Sequence, residues 1–501
     1  MQIIARGFQG GFMKGLSRII AGVSLLVLVS VLSTGGCGDN KKKPDREEFV
    51  NPVIIHSRDG VIDEVFDVIF SENEVNGKSF VSATYNGTYV PPVLSVNRGD
   101  TIHLRVNNSI DQMTNMHYHG MNVSPLSPSD DIFIMITPSS SFDYTVDIPE
   151  DHPEGMFYYH PHLYGLTEEQ IMGGMSGGLL VNGMLDPFPQ LDGIKQQIMY
   201  LKDVQIKNGE FPPPGGIDPS APTNFTVNGQ TNPVLRIRPG ETQFWTLMNI
   251  GADLYYDLEL EGHRFYEIER DGNRRNRTVE YEDLLLPTSS RAGVLVQGGE
   301  PGVYRLRARK FNTGPQGDHY GGATLLTMIV EGDPVLDPVE LPIPEAEFPV
   351  VEDLCEMPVQ RERDIVFSET ADGDTFFING KEFDPSRVDT VVEIGGLERW
   401  RVQNTSGELH VFHIHLTDFQ VCEINGVPQP FVGSQDTINI PYEGQDPDFE
   451  GPGEAVIVID FRNPVIEGKA VYHCHIGEHE DNGMMAVFQA CLPGTCPPEA
   501  E

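Results

Sequence analysis

The chain has 501 residues, with 34 Lys and Arg against 74 Asp and Glu, a formal net charge of -40, 52 glycines and 38 prolines. That length exceeds one ordinary core and fits about three domains, and the acidity excludes nucleic acid or an anionic membrane surface as a partner held by charge. Long amphipathic helical patterns are missing while turn residues recur, so an all-β fold is expected.

Arg6, Lys14 and Arg18 precede an apolar run from Ile19 to Leu32 and then Ser33-Thr34-Gly35-Gly36-Cys37. A charged start, a short apolar stretch and small residues before a cysteine read as a lipoprotein-type signal peptide over residues 1–36. Cys37 is then the lipidated residue and 37–49 a solvated tether. The expected location is the periplasm or cell envelope, with membrane contact only through the anchor at Cys37. In an oxidising compartment Cys355, Cys422, Cys491 and Cys496 allow three pairings, one of which closes the small loop between Cys491 and Cys496.

An internal repeat organises the chain beyond residue 50. Asn86-Gly87 is followed by a strand ending at Asn107, Asn228-Gly229 by one ending at Asn249, and Asn379-Gly380, more loosely, by one ending at Asn404. Asn-Gly pairs favour tight hairpins, so three copies of one β-sandwich are expected: domain 1 over 50–189, domain 2 over 190–333, a proline-rich linker over 334–358, and domain 3 over 359–501. Trp245 and Trp400 stand four residues before the repeat asparagine, the place of His103 in the first copy. A recurring repeat position is read as packing.

The histidines are not scattered. Fifteen in this length would give roughly 0.45 His-x-His triplets by chance, and the chain has four, at His117-Tyr118-His119, His160-Pro161-His162, His413-Ile414-His415 and His473-Cys474-His475. On an extended strand each triplet places two imidazoles on one face about 7 Å apart, a spacing for two neighbouring metals. Eight imidazoles thus serve a polynuclear cluster, with four from domain 1 and four from domain 3, so domain 2 must bridge two domains that face each other. Around Cys474 the alternation of faces points the sulfur away from His473 and His475. His479 and Met484 follow in a glycine-containing segment able to curl back. With His410 they complete a His2Cys set with a weak thioether, the blue-copper type. His56, His103, His152, His263 and His319 are read as structural.

In order and separation the four blocks resemble the copper-binding motifs of the three-domain multicopper oxidases, the group of laccases, bilirubin oxidase and bacterial metallo-oxidases. The resemblance implies three cupredoxin-like Greek-key sandwiches and four copper ions: a type 1 copper on His410, Cys474 and His479 with Met484 axial, a type 2 copper on His117 and His413, and a type 3 pair on His119, His160, His162, His415, His473 and His475. Val411 departs from the pattern, because many members have proline after the first type 1 histidine. The resemblance also implies a proton-delivering glutamate at Glu480 and an acid beyond the first block, where Asp130 and Asp131 are both candidates.

The function expected is one-electron oxidation of phenols or aromatic amines coupled to reduction of dioxygen to water, by a monomer. A metal-ion oxidase acting on cuprous, ferrous or manganous ions is the alternative within enzymes. A copper-sequestering or electron-carrier protein is the alternative outside them, and the full ligand set argues against it, since a carrier needs only the type 1 site. Met113, Met116, Met121, Met172, Met175 and Met485 lie near the motifs without forming a methionine-rich insertion, and the acidic stretch 443–450 is read as a solvated loop.

Overall fold

In the strand Thr101–Asn108, Ile102, Leu104 and Val106 are buried while His103 and Arg105 face solvent; this period of two is what a half-covered sheet requires. The computed structural model describes residues 46–213, 216–218 and 221–498. The expected signal peptide, Cys37 and the first part of the expected tether lie outside the described residues.

Three pairs of sheets follow one another along the chain: four and five strands before residue 182, six and five strands between 195 and 330, and six and five strands from 361 to 491. Each pair repeats one feature, a parallel pairing between an early long strand and the strand after the hairpin. Val61–Val75 pairs so with Thr101–Asn108, Lys195–Val204 with Thr242–Asn249, and Arg361–Glu369 with Leu397–Asn404. The repeated asparagines hold the turns. Asn86, Asn228 and Asn379 have φ of 52, 53 and 53°, each followed by a glycine at φ between 70 and 74°, the left-handed pair that a two-residue hairpin demands. Their side-chain oxygens accept main-chain N–H groups of the neighbouring long strand, from Asp67, Tyr200 and Val366, at 2.7 to 2.8 Å.

The second repeat asparagine is where the sequence reading slips. Asn249 and Asn404 donate to the carbonyls of Leu254 and Glu408. In the first sandwich this role belongs to Asn108, which donates to Gln112 and Ile136, rather than to Asn107. The residue matching Trp245 and Trp400 is therefore Leu104, not His103. A shift of one residue moves a side chain to the other face, which is why both tryptophans are buried and His103 is exposed.

Thr242–Asn249 is buried along its whole length, because the middle sandwich is covered on both sides. Its inner face shares one continuous core with the third sandwich, from Trp245 to Trp400. On its outer face, Phe244 and Leu295 pack against Ile343 and Phe348 of the linker, which is an ordered strap, and Ile198, Tyr200 and Met248 pack against Val93, Met156 and Tyr158 of the first sandwich. Disulfides join Cys355 to Cys422 and Cys491 to Cys496.

Candidate metal centre

Strand pairing collects the motif residues. His117–His119 lies antiparallel to Gly155–His160 with His117 opposite His160, and His410–Ile414 lies antiparallel to Gly468–Cys474 with His413 opposite His473 and Phe412 opposite Cys474. All ten motif histidines and Cys474 are buried. The first and third sandwiches meet through their rings: His117 stacks on His415 with centroids 3.8 Å apart, and His119 on His413 at 3.9 Å.

Eight imidazoles thereby form one closed chamber, and their nitrogens divide into two classes. Four outward ones are held: His117 Nδ1 lies 3.0 Å from both Asp130 oxygens, His413 Nδ1 bonds the Asp436 carbonyl at 2.8 Å, His160 Nδ1 the Pro161 carbonyl at 2.8 Å, and His473 Nδ1 the Cys474 carbonyl at 2.9 Å. Four inward ones are orphaned, since Nε2 of His117, His160 and His413 and Nδ1 of His119 have no hydrogen-bond partner. Buried polar atoms rarely stay unpaired. Nε2 atoms of His162, His415 and His473 converge at 3.1 to 3.3 Å from one another. Tetrahedral ligand nitrogens about 2.0 Å from a metal lie about 3.3 Å apart, so a cation fits among them. His475 completes the ring of eight, its Nε2 3.2 Å from the Tyr158 hydroxyl and its ring 4.9 Å from that of His119. Burial first, and the neighbouring imidazoles next, lower His117, His413 and His415 well below the ordinary histidine value, which keeps the lone pairs free for a metal.

The second cluster lies on the other face of the Cys474 strand. His410 Nδ1 and His479 Nδ1 are 2.9 Å apart, and Cys474 Sγ is 3.8 and 3.5 Å from them. After Cys474 the chain makes a single helical turn, Gly477–Asp481. Gly483 at φ 118° then reverses it, where any Cβ would press to 2.6 Å from the Phe376 carbonyl. That reversal returns Met484, fully buried, to accept the Cys474 N–H at 3.0 Å and donate to the His479 carbonyl at 2.9 Å. Burial raises the Cys474 thiol far above its ordinary value, so the chain alone does not sustain a thiolate and a bound metal would. Two imidazoles, one sulfur anion and a nearby thioether form a donor set suited to copper.

The two candidate acids after the first block separate clearly. Asp130 is buried against His117 and also accepts the Tyr118 N–H at 2.9 Å, whereas Asp131 is partly exposed and accepts the Phe133 N–H. Glu480 is buried, its oxygens 3.4 Å from His162 Nδ1 and 3.2 Å from His473 Nδ1. Burial pushes its carboxyl up, but the facing His162 and His473 rings outweigh that and hold it below the usual range. Met116, Met121, Met172 and Met175 are core residues, and His152 is a buried structural histidine accepting the Asn122 N–H at 3.0 Å.

Sequence reasoning missed four residues. Asp436 backs two chamber histidines, through its carbonyl to His413 and through Oδ1, 3.4 Å from His119 Nε2. Arg291, from the middle sandwich and fully buried, grips that carboxylate with both terminal nitrogens at 2.9 and 2.7 Å. The outer nitrogens of the sulfur cluster have partners too: His410 Nε2 meets Ser406 Oγ at 2.8 Å and His479 Nε2 meets Glu408 Oε1 at 3.3 Å. None of these four belongs to a spaced motif. Each arrives from a loop or from another sandwich.

Three multicopper oxidase family models match the chain, at residues 71–185, 199–331 and 356–491. The multicopper oxidase mco of Staphylococcus aureus is 26% identical over 416 residues, which cover 80% of this chain and 82% of that protein. Among solved structures, a multicopper oxidase from Campylobacter jejuni described as a metallo-oxidase aligns with a TM-score of 0.74 at 24% identity, covering 90% of this chain and 96% of that one. A laccase from Pediococcus acidilactici aligns with a TM-score of 0.74 at 25% identity, covering 90% and 95%. With one family model falling on each cupredoxin-type sandwich and the histidine clusters set where the first and third meet, this chain belongs to the multicopper oxidases, a family of copper oxidoreductases.

Proposed function

We propose that this chain takes electrons singly from a donor at the sulfur cluster and reduces dioxygen to water in the histidine chamber. The observation that carries the reading is the strand at Cys474: its sulfur faces one cluster while His473 and His475, its covalent neighbours, face the other. When bound, one copper on His410, Cys474, His479 and Met484 would supply one-electron chemistry, and three on His117 and His413 and on His119, His160, His162, His415, His473 and His475 would supply the four-electron reduction. The side chains provide the rest. Cys474 and its two peptide bonds form the shortest covalent path between the clusters. Asp130 fixes the ring of His117 through Nδ1, leaving Nε2 inward, as carboxylates behind metal-binding histidines do when they set the tautomer. Glu480 touches the outer nitrogens of two chamber histidines and is placed to hand protons inward, since reducing dioxygen consumes four.

The donor reading turns on the outer edge of His479. Glu408 covers its Nε2, and Glu369, Asp318 and Glu478 add their charges around Glu408. Burial, then Glu369, pushes the Glu408 carboxyl up to about 10. Acidic groups gathered at this edge draw a cation to it. This favours a metal-ion donor, or a protonated aromatic amine, over a neutral phenol. Phenols are the second reading, supported by the likeness to the Pediococcus acidilactici laccase. Oxygen uptake by copper-loaded protein, with cuprous ion, ferrous ion, an aromatic amine and a phenol supplied in turn, tests both. Glu408→Gln with Glu369→Gln should raise KM for the metal ions and spare the phenol, and equal effects on both donors would remove the acid pair from donor binding.

A further inference from the structure

The Cys474 sulfur accepts a main-chain hydrogen bond from the Val411 N–H at 3.3 Å. Val411 follows the cluster histidine His410, at the place where many members of the family carry proline. Proline has no N–H, so this bond exists because this chain departs from the pattern. The site is dry, since Val411, Cys474, Ile476 and Met484 are all buried, and a hydrogen bond in so apolar a place acts on the sulfur charge with little screening.

We propose that Val411 raises the reduction potential of the sulfur-cluster copper through this main-chain bond, and so selects donors of higher potential than a proline-bearing site would prefer. The inference rests on the reading of His410, Cys474, His479 and Met484 as a copper site. Its physical basis is the sulfur's charge. An N–H pointing at a thiolate draws electron density from it, the sulfur then donates less to the metal, and the more electron-rich cuprous state gains relative to the cupric one; hydrogen bonding around the cysteine sulfur is one of the recognised levers on such potentials. The side chain of Val411 takes no part, so the effect belongs to the backbone.

That separation supplies the test. Val411→Ala keeps the N–H and trims the side chain, whereas Val411→Pro deletes the N–H. In copper-loaded protein, spectroelectrochemical titration of the blue band should give Val411→Ala a wild-type potential. Val411→Pro should shift the electron-transfer equilibrium about tenfold toward the cupric form, about 59 mV lower, and the absorption maximum should move with it. The range of donors oxidised by Val411→Pro should contract at its high-potential end. If Val411→Pro retains the wild-type potential, or Val411→Ala falls as far as Val411→Pro, the proposal is overturned, since side-chain packing would then account for any change. Should Val411→Pro fail to fold, a wild-type protein carrying an ester in place of the amide at Val411, made by semisynthesis, removes the same N–H and must show the same drop. A wild-type protein with no blue band would instead sink the copper reading and leave the hydrogen bond without a metal to act on.

Discussion

The sulfur cluster and the histidine chamber are built on opposite principles. His410, Cys474, His479 and Met484 all come from one sandwich, and three of them lie within one strand-turn segment. The chamber draws on both the first and third sandwiches, and its backing reaches into the second through Arg291. A centre made by one domain needs only that domain to fold. A centre made between domains also needs them to dock in register, and the pair Arg291 and Asp436, fully buried with Met156, Ser289 and His413 around it, is part of how this docking is held. Damage to one region should therefore leave a distinct signature from damage to the other.

The largest separation is expected from Cys474→Ser. It should abolish the blue absorption and donor oxidation while copper analysis and electron paramagnetic resonance still find metal in the chamber. Retention of the blue band would show that the sulfur cluster has been misassigned. Glu480→Gln should do the reverse, leaving reduction of the blue copper by the donor intact and slowing reoxidation by dioxygen roughly 10²-fold, the scale of a lost general acid; stopped-flow traces with unchanged reoxidation would remove Glu480 from proton delivery. A smaller effect is expected from Asp436→Asn or Arg291→Lys, which disturb the backing of His119 and His413 without removing a ligand. Metal occupancy of the chamber should fall several-fold in competition with a chelator, with the blue band per chain unchanged. Equal loss from both centres would mean that the pair serves overall stability alone. The subtlest change is Met484→Leu. Removing a thioether that donates to the metal should raise the potential, opposite in sign to Val411→Pro, and an unchanged value would direct attention to Met485.

Much of this was legible from spacing. The His-x-His triplets and the Cys474 segment carry their geometry locally, because an extended strand sorts neighbours onto alternate faces whatever lies around it. Asn86-Gly87, Asn228-Gly229 and Asn379-Gly380 likewise state their turns, since few other residues tolerate that backbone. Where the local signal was degenerate the reading slipped or stayed open. Asn107 and Asn108 are adjacent, and only the side chain that caps Gln112 and Ile136 tells them apart. Asp130 and Asp131 differ in nothing but the direction each faces, toward His117 or toward Phe133.

By itself, then, the amino-acid sequence determined the sandwich repeat, the number of cluster imidazoles and the division into a sulfur cluster and a histidine chamber, which rest on short local motifs. The tertiary structure alone decided which cysteines pair, which acid touches His117, that Arg291 reaches across to Asp436, and that Glu408 covers His479. These contacts join residues as far as 145 apart in the chain, and spacing alone does not choose them; the charged ones arise when buried charges and lone pairs, costly to leave alone in a dry interface, find the partner that folding brings within reach.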